Sequence, residues 1–235
     1  MNIIVTGASK GIGFELVKKF ASNGNHIIVA ISRNSFLLNQ LKNECVIINP
    51  NAKVFPIGFD LTSTEIKNIL LPKILSCISN VDILINNAGY LVNKPINQTT
   101  EEDLQSVFAA NYFSVYHLIK HLIPVFNKEI SHIVNISSMG GVQSSAKFVG
   151  LSAYSASKAA LCNLTETFAE ELKDKNIRVN CLALGAVQTE MLNNAFPGYK
   201  AQISAEEMAE FIANFTLTAS KTMNGKIIPV SISTP

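Results

Sequence analysis

An α/β fold, a doubly wound parallel sheet of about seven strands flanked by helices, is what the sequence predicts, on three observations. Short β-branched runs alternate with longer amphipathic stretches from one end of the 235 residues to the other, the pattern of repeated strand and helix crossovers. The short runs are almost continuously apolar, as strands covered on both faces must be. A glycine-rich turn joins the first run to the first amphipathic stretch.

The expected strands are residues 2–6, 26–31, 53–58, 81–85, 132–137, 178–182 and 226–230. Helical patterns occupy 11–22, 36–43, 64–78, 101–126, 153–173 and 205–219. Two of these helices carry start signals. Thr100 precedes Glu101, Glu102 and Asp103, and Ser204 precedes Glu206 and Glu207, so cap oxygens and first-turn carboxylates meet the free amides and the positive dipole end. Asn23-Gly24-Asn25 and Asn224-Gly225 mark chain reversals between periodic segments. With 48% hydrophobic residues and no linker or low-complexity tract, residues 1–235 read as a single domain built on one large sheet.

Composition excludes several classes of function. A net charge of +2 without a Lys/Arg-rich run argues against nucleic acid as a partner. Met1 leads straight into the first strand, without the segments of a secretory signal, and no apolar run is long enough to span a bilayer. The expectation is a soluble, cytoplasmic protein with no membrane partner. Cys45, Cys77, Cys162 and Cys181 are widely spaced, which suggests free thiols rather than a zinc site or a disulfide framework. His117 and His121 lack the neighbouring glutamate and third ligand of a metal site, so no metal is expected.

In such a sheet, ligands lie outside the carboxyl ends of the strands. The first of those loops reads Thr6-Gly7-Ala8-Ser9-Lys10-Gly11-Ile12-Gly13. Glycines there permit a tight turn and close approach of backbone to a pyrophosphate, and the helix that follows offers unpaired amides to the anion. A glycine-rich stretch alone also suits a plain flexible turn. Its place between an N-terminal strand and a helix is the context of a Rossmann-like dinucleotide site, with Gly7, Ser9, Lys10, Gly11, Ile12 and Gly13 as its residues. The second strand ends Ala30-Ile31-Ser32-Arg33, without the carboxylate that binds ribose hydroxyls in NAD enzymes. Arg33 suits an added phosphate through paired charge-assisted hydrogen bonds, and Lys10 supplies a second positive charge. Together they favour NADP(H) over NAD(H).

The spacing of these glycines resembles that of the single-domain branch of the short-chain dehydrogenase/reductase family, and further segments match in order. Asp60-Leu61 follows the third strand, Asn86-Asn87-Ala88-Gly89 the fourth, Asn111 falls within Ala109-Ala110-Asn111-Tyr112, and Ser137-Ser138 precedes Tyr154-Ser155-Ala156-Ser157-Lys158. Each piece has a plainer role available: Asp60 as a cap, Asn87-Ala88-Gly89 as a turn, Tyr and Lys four residues apart by chance. Their joint order is what chance does not readily produce. The resemblance implies adenine contacts from Asp60 and Leu61, and cofactor packing by Asn87, Ala88 and Gly89. It assigns nicotinamide contacts to Val187 and Thr189, substrate binding to Ser138, and to Asn111 a water that links Lys158 to solvent.

On a helix, Tyr154 and Lys158 share a face one turn apart. A nearby ammonium favours phenolate, so the phenol is expected below its usual pKa of about 10 and able to exchange a proton with a carbonyl or alcohol oxygen. By resemblance, Lys158 also holds the nicotinamide ribose. The expected activity is hydride transfer between NADP(H) and a carbonyl or alcohol substrate whose identity the sequence leaves open. The alternative is a catalytically weak NADP(H)-binding sensor or regulator of the same fold.

The match has departures, one being a Ser138 to Tyr154 interval a few residues longer than is commonest in the family, with 144–150 expected as a variable loop beside the substrate. Leu184 stands at the family's usual proline place in Ala183-Leu184-Gly185. Residues 190–204, with Met191, Leu192, Phe196 and Tyr199, suit a mobile lid or a plain surface connection equally. The ending Ser231-Ile232-Ser233-Thr234-Pro235 lacks the family's acidic-glycine pattern, which puts the usual tetramer contacts in doubt; a homodimer through the helices carrying Asn111 and Tyr154 is preferred, with a homotetramer the other possibility.

Overall fold

In the computed structural model, residues 1–22 and 24–232 are described. Asn23 of the expected Asn23-Gly24-Asn25 turn and the terminal Ser233, Thr234 and Pro235 lie outside the described residues.

Seven strands form the central sheet: β1 (Asn2–Thr6), β2 (Ile27–Ser32), β3 (Lys53–Gly58), β4 (Ile83–Asn86), β5 (Ser131–Ser138), β6 (Ile177–Leu184) and β9 (Ile227–Val230). Their order is β3-β2-β1-β4-β5-β6-β9, and every pairing is parallel. The chain reverses direction across the sheet between β1 and β4, and this switch point opens a crevice at the strands' carboxyl ends. Two short strands, β7 (Val187–Gln188) and β8 (Ile203–Ser204), pair separately beyond that edge.

Period-two alternation sends successive side chains of a strand to opposite faces of the sheet, so a strand covered on both faces is apolar on both. In β1, Ile3 and Val5 enter one core with Leu16, Val17 and Phe20 of α1 (Gly11–Ser22), Leu38 and Leu41 of α2 (Ser35–Ile48), and Met208 and Ile212 of α8 (Ala205–Thr218). Ile4 enters the opposite core with Leu70 and Ile74 of α3 (Leu70–Leu75), Leu118 and Ile119 of α5 (Ser114–Leu122), and Leu161 and Leu164 of α6 (Ser152–Glu171). Each fully buried Ile, Leu or Val contributes roughly 1.5–3 kcal/mol, so the sheet is held from both faces.

The expected helix over 64–78 is broken into a 3₁₀ turn at Thr64–Ile66 and the short α3. Pro72 is the reason: inside a continuous helix its ring would strike the carbonyl four residues earlier, whereas in the first turn of α3 it is tolerated. The expected helix over 101–126 is likewise α4 (Glu101–Phe108), a π-turn (Ala109–Phe113), α5, and a 3₁₀ turn at Ile123–Val125. The α2 helix runs past the expected 36–43, and Val81 forms an isolated bridge to Phe126 rather than beginning β4. Thr100 and Ser204 both close capping boxes, with Asp103 and Glu207 reaching back to the cap amides. Among the described residues, no helix is long and apolar enough to cross a membrane.

Candidate active site

The glycine loop is fixed from below by the end of β4. Thr6 Oγ1 donates to the Ile85 carbonyl (3.3 Å) and accepts from the amides of Asn87 (3.0 Å) and Ala88 (3.1 Å). Asn87 Nδ2 in turn donates to the carbonyls of Thr6 (3.0 Å) and Gly7 (3.3 Å). The closeness of these layers explains two glycines. A β-carbon on Gly7, whose φ is +66°, would lie 2.7 Å from Ala88 Cα, and one on Gly13 would lie 2.4 Å from the Gly7 carbonyl oxygen. The start of α1 can therefore sit against the strand ends with its first amides facing outward, a cradle suited to a pyrophosphate.

The second and third strand ends adjoin this loop. Ala8 donates to the Ile31 carbonyl (3.3 Å), Phe59 to the Ser32 carbonyl (2.9 Å), and Ser32 Oγ to Ser9 Oγ (2.7 Å). Arg33 is exposed at the end of β2. Asp60 Oδ1 accepts from Thr62 N (3.0 Å) and Thr62 Oγ1 (2.8 Å), so this carboxylate shapes the turn that presents Leu61. Lys10 is engaged elsewhere: its ammonium is 2.7 Å from Glu190 Oε2, at the start of α7 (Glu190–Ala195). Neighbouring Thr189 caps that helix through Leu192 N (3.2 Å) and lies 3.4 Å from where a β-carbon on Gly11 would be. Val187 is buried and pairs with Ile203.

The remaining candidates gather around the buried Lys158. Its ammonium donates to the Ile136 carbonyl (2.8 Å) and lies 5.7 Å from the centre of the Tyr154 ring. Of the two adjacent serines, Ser137 is buried and donates to the Lys158 carbonyl (2.9 Å). Ser138 is partly open, caps the turn at Met139–Gly141 by accepting from Gly140 N (3.2 Å), and lies near enough to Tyr154 to favour its ionised form. Asn111 sits on the π-turn, a helical irregularity common at functional sites. Its Oδ1 accepts from Tyr90 N (2.8 Å), while Nδ2 donates to the Tyr90 carbonyl (2.9 Å) and to Ser157 Oγ (2.9 Å). A β-carbon on Gly89 would meet Asn111 Oδ1 at 3.3 Å and Lys158 Nζ at 3.5 Å. The bare backbone of Gly89 thus lets the β4 loop, the π-turn and α6 converge.

Residues 1–200 match the family described as short chain dehydrogenase. The chain belongs to the short-chain dehydrogenase family. A fatty acyl-CoA reductase of Acinetobacter baylyi is 30% identical over 213 residues, covering 89% of this chain and 70% of that one. A 3-oxoacyl-[acyl-carrier-protein] reductase of Chlamydia pneumoniae is 31% identical over 207 residues, covering 85% and 79%. Among solved structures, a short chain dehydrogenase from Shigella flexneri complexed with NADP superposes with a TM-score of 0.87 at 26% identity, covering 97% and 95%. This short-chain dehydrogenase is accordingly an NAD(P)-dependent oxidoreductase acting on carbonyl or alcohol groups.

One expectation for this short-chain dehydrogenase changes with its geometry. Burial pushes the Tyr154 phenol up to about 12, against the smaller opposing effect of Ser138. Proximity to Lys158 does not lower it, because the ammonium faces the Ile136 carbonyl and is itself brought down to about 8 by burial. The Asn111 amide bonds to Tyr90 and Ser157, so its side chain pins the β4 loop to α6. Sequence reasoning missed Thr6, Ser157 and the buried chain Asn86–Asn135–Thr165, joined at 2.8 and 2.9 Å. Thr6 and Ser157 lie inside the quoted motifs, and their neighbourhood was the available signal.

Residues 190–204 include α7, which is tied to the loop before α4 by Asn93 Nδ2 donating to the Ala195 carbonyl (2.7 Å). Phe196 meets Phe148 edge to face, with 6.3 Å between ring centres. The 144–150 loop that carries Phe148 is tethered by Lys147, whose ammonium donates to the carbonyls of Gly140 (2.9 Å) and Val142 (2.6 Å). These two loops therefore approach each other through Phe148 and Phe196.

Proposed function

We propose that this chain is an NADP(H)-dependent reductase of carbonyl compounds that carry an apolar group, with Tyr154 as its acid/base. The observation that supports this most is the convergence of Lys158, Tyr154, Ser138 and Asn111 at the carboxyl edge of the sheet, beside the glycine loop. The residues present fit a dinucleotide, since side chains are excluded at Gly7 and Gly13 where backbone must pass closely. Loop residues Gly7, Ser9, Gly11, Ile12 and Gly13 would hold the pyrophosphate, and Asp60, Leu61, Asn87, Ala88 and Gly89 would border the adenosine and ribose. Val187 and Thr189 would meet the carboxamide. Arg33 would bind the added phosphate, joined by Lys10 once it exchanges Glu190 for that anion. When bound, the cofactor supplies the hydride.

Tyr154, held protonated by burial, donates its phenolic proton to the substrate oxygen as negative charge develops there. The Ser138 hydroxyl donates a second hydrogen bond to the same oxygen. Lys158 keeps positive charge beside the phenol, and Asn111 ties α6, which carries both, to the β4 loop. Ile96, Phe148, Val149 and Leu151 line an open pocket of ≈ 380 Å³ beside Ser155, which suits an apolar substituent, as do the fatty acyl-CoA and 3-oxoacyl substrates in the relatives' names. The exposed Phe113 and Tyr116, at 50% and 37%, suit a homodimer or homotetramer through α5 and its neighbours. A panel of aliphatic ketones, aldehydes and acyl thioesters, followed by loss of NADPH absorbance, tests the reading. Oxidation of NADPH by at least one apolar carbonyl compound is expected. A protein that binds NADPH and reduces none of them favours the sensor.

A further inference from the structure

Two buried thiols stand directly behind the candidate acid/base group and have no part in the chemistry above. Cys162 lies one helical turn after Lys158 on α6, and Cys181 lies on β6. Their sulfurs are 3.9 Å apart, and both side chains are almost fully buried. Ser137 connects the pair to the site. Its hydroxyl donates to the Lys158 carbonyl (2.9 Å) and accepts from Cys162 Sγ (3.3 Å). The other two cysteines differ: Cys45 is buried on the opposite face of the sheet, and Cys77 is half-buried with its Sγ donating to the Lys73 carbonyl (3.3 Å).

We propose that Cys162 and Cys181 are a reversible modification site, forming a disulfide with hydrogen peroxide as oxidant and thereby disturbing the Lys158 site. The Cys162 thiolate attacks one peroxide oxygen, the O–O bond breaks, and the departing hydroxide takes a proton to become water. The resulting sulfenic acid faces Cys181, whose sulfur attacks it. The S–O bond breaks, and hydroxide leaves with the Cys181 proton as a second water. Two thiols and one peroxide become one disulfide and two waters, with two electrons passing from sulfur to peroxide. Chemistry at Cys162 comes first because its thiol is held below the ordinary range by the hydrogen bond with Cys181 and, against the opposing effect of burial, by the charge on Lys158. Burial pushes Cys45 up to about 11, which makes it the inert comparison.

A disulfide needs sulfurs about 2.05 Å apart, so the pair must close by about 1.9 Å from its present 3.9 Å. That closure draws Cys162 Sγ off Ser137 and pulls the Lys158 turn of α6 toward β6. Only the effect on cofactor binding rests on the proposed function; formation of the bond does not.

The test treats the full chain with hydrogen peroxide, alkylates remaining thiols after unfolding, and maps peptides while NADPH binding is titrated by fluorescence. The expected result is a Cys162–Cys181 linked peptide that dithiothreitol reverses, with Cys45 unmodified. NADPH binding should be lost in proportion to the linked fraction and return on reduction. C162A and C181A should each keep after peroxide whatever binding they had before it. Free thiols at both positions while Cys77 is oxidised would overturn the proposal, as would a linked protein that binds NADPH undiminished. Untreated protein that binds no NADPH would instead refute the cofactor reading, with the peptide map still deciding the linkage.

Discussion

Tyr154→Phe is expected to lower NADPH-dependent carbonyl turnover by about 10²–10⁴-fold, the usual worth of a positioned proton donor. The ring stays in place, so its packing and the position of Lys158 beside it, 5.7 Å from the ring centre, are kept; only the phenolic oxygen is lost. NADPH affinity should change little, which separates removal of the proton donor from damage to the site. The fold should also be unaffected at neutral pH. The Tyr154 phenol, raised by burial to about 12 from 10.0, is neutral at that pH folded or unfolded; only wild type should lose stability as pH rises above 10 toward the folded value, where the unfolded chain ionises first. Steady-state rates and an NADPH titration on the same two proteins check this. Equal turnover in both would remove Tyr154 from the chemistry.

Gly13→Ala should be nearly as damaging for a different reason. Its β-carbon would fall 2.4 Å from the Gly7 carbonyl oxygen and 2.5 Å from Asn87 Nδ2. Neither neighbour is a flexible side-chain end that can swing away. Asn87 Nδ2 is bound to two carbonyls, and the Gly7 carbonyl belongs to the loop that Thr6 anchors. The strain should cost about 1–3 kcal/mol of stability and push α1 off the strand ends, removing the stabilisation that NADP⁺ gives. Gly11→Ala makes a graded comparison. Its β-carbon meets only Thr189 at 3.4 Å, but its φ of +57° disfavours a side chain by about 1–2 kcal/mol. Melting curves with and without NADP⁺ should rank wild type above Gly11→Ala, and Gly11→Ala above Gly13→Ala in its response to the nucleotide.

Strands β1 and β3 were legible to the residue, because Gly7 stops the apolar run of β1, and the turn-forming Asn51 and Asp60 stand close on either side of β3. Helices were legible where caps are local, as at Thr100 and Ser204, and misread where Pro72 breaks a stretch whose periodicity continues. The site divides in the same way. Gly7, Gly13, Asn87, Ser138, Tyr154 and Lys158 stand in short ordered motifs, and the fold gathers them at one edge. What the motifs could not convey depends on distant partners. Asn111 is committed to residues 21 and 46 positions away, and Lys10 to one 180 away. The pKa of Tyr154 was misjudged because spacing along a helix gives the distance to a charge but not the loss of water around the phenol. The Cys162–Cys181 pair had no spacing signal, being made by a helix crossing a strand.

Thermal unfolding in parallel with NADP⁺ and NAD⁺, on wild type and Arg33→Asp, tests the cofactor assignment on which the mechanism stands. At about a hundredfold excess over its dissociation constant, a nucleotide that binds only the folded chain should add roughly 2.7 kcal/mol. The expected result is a clear rise with NADP⁺, a smaller one with NAD⁺, and loss of that difference in Arg33→Asp. A rise with NAD⁺ alone would contradict the reading of Arg33 and Lys10, and no rise with either nucleotide would contradict the account of the site itself.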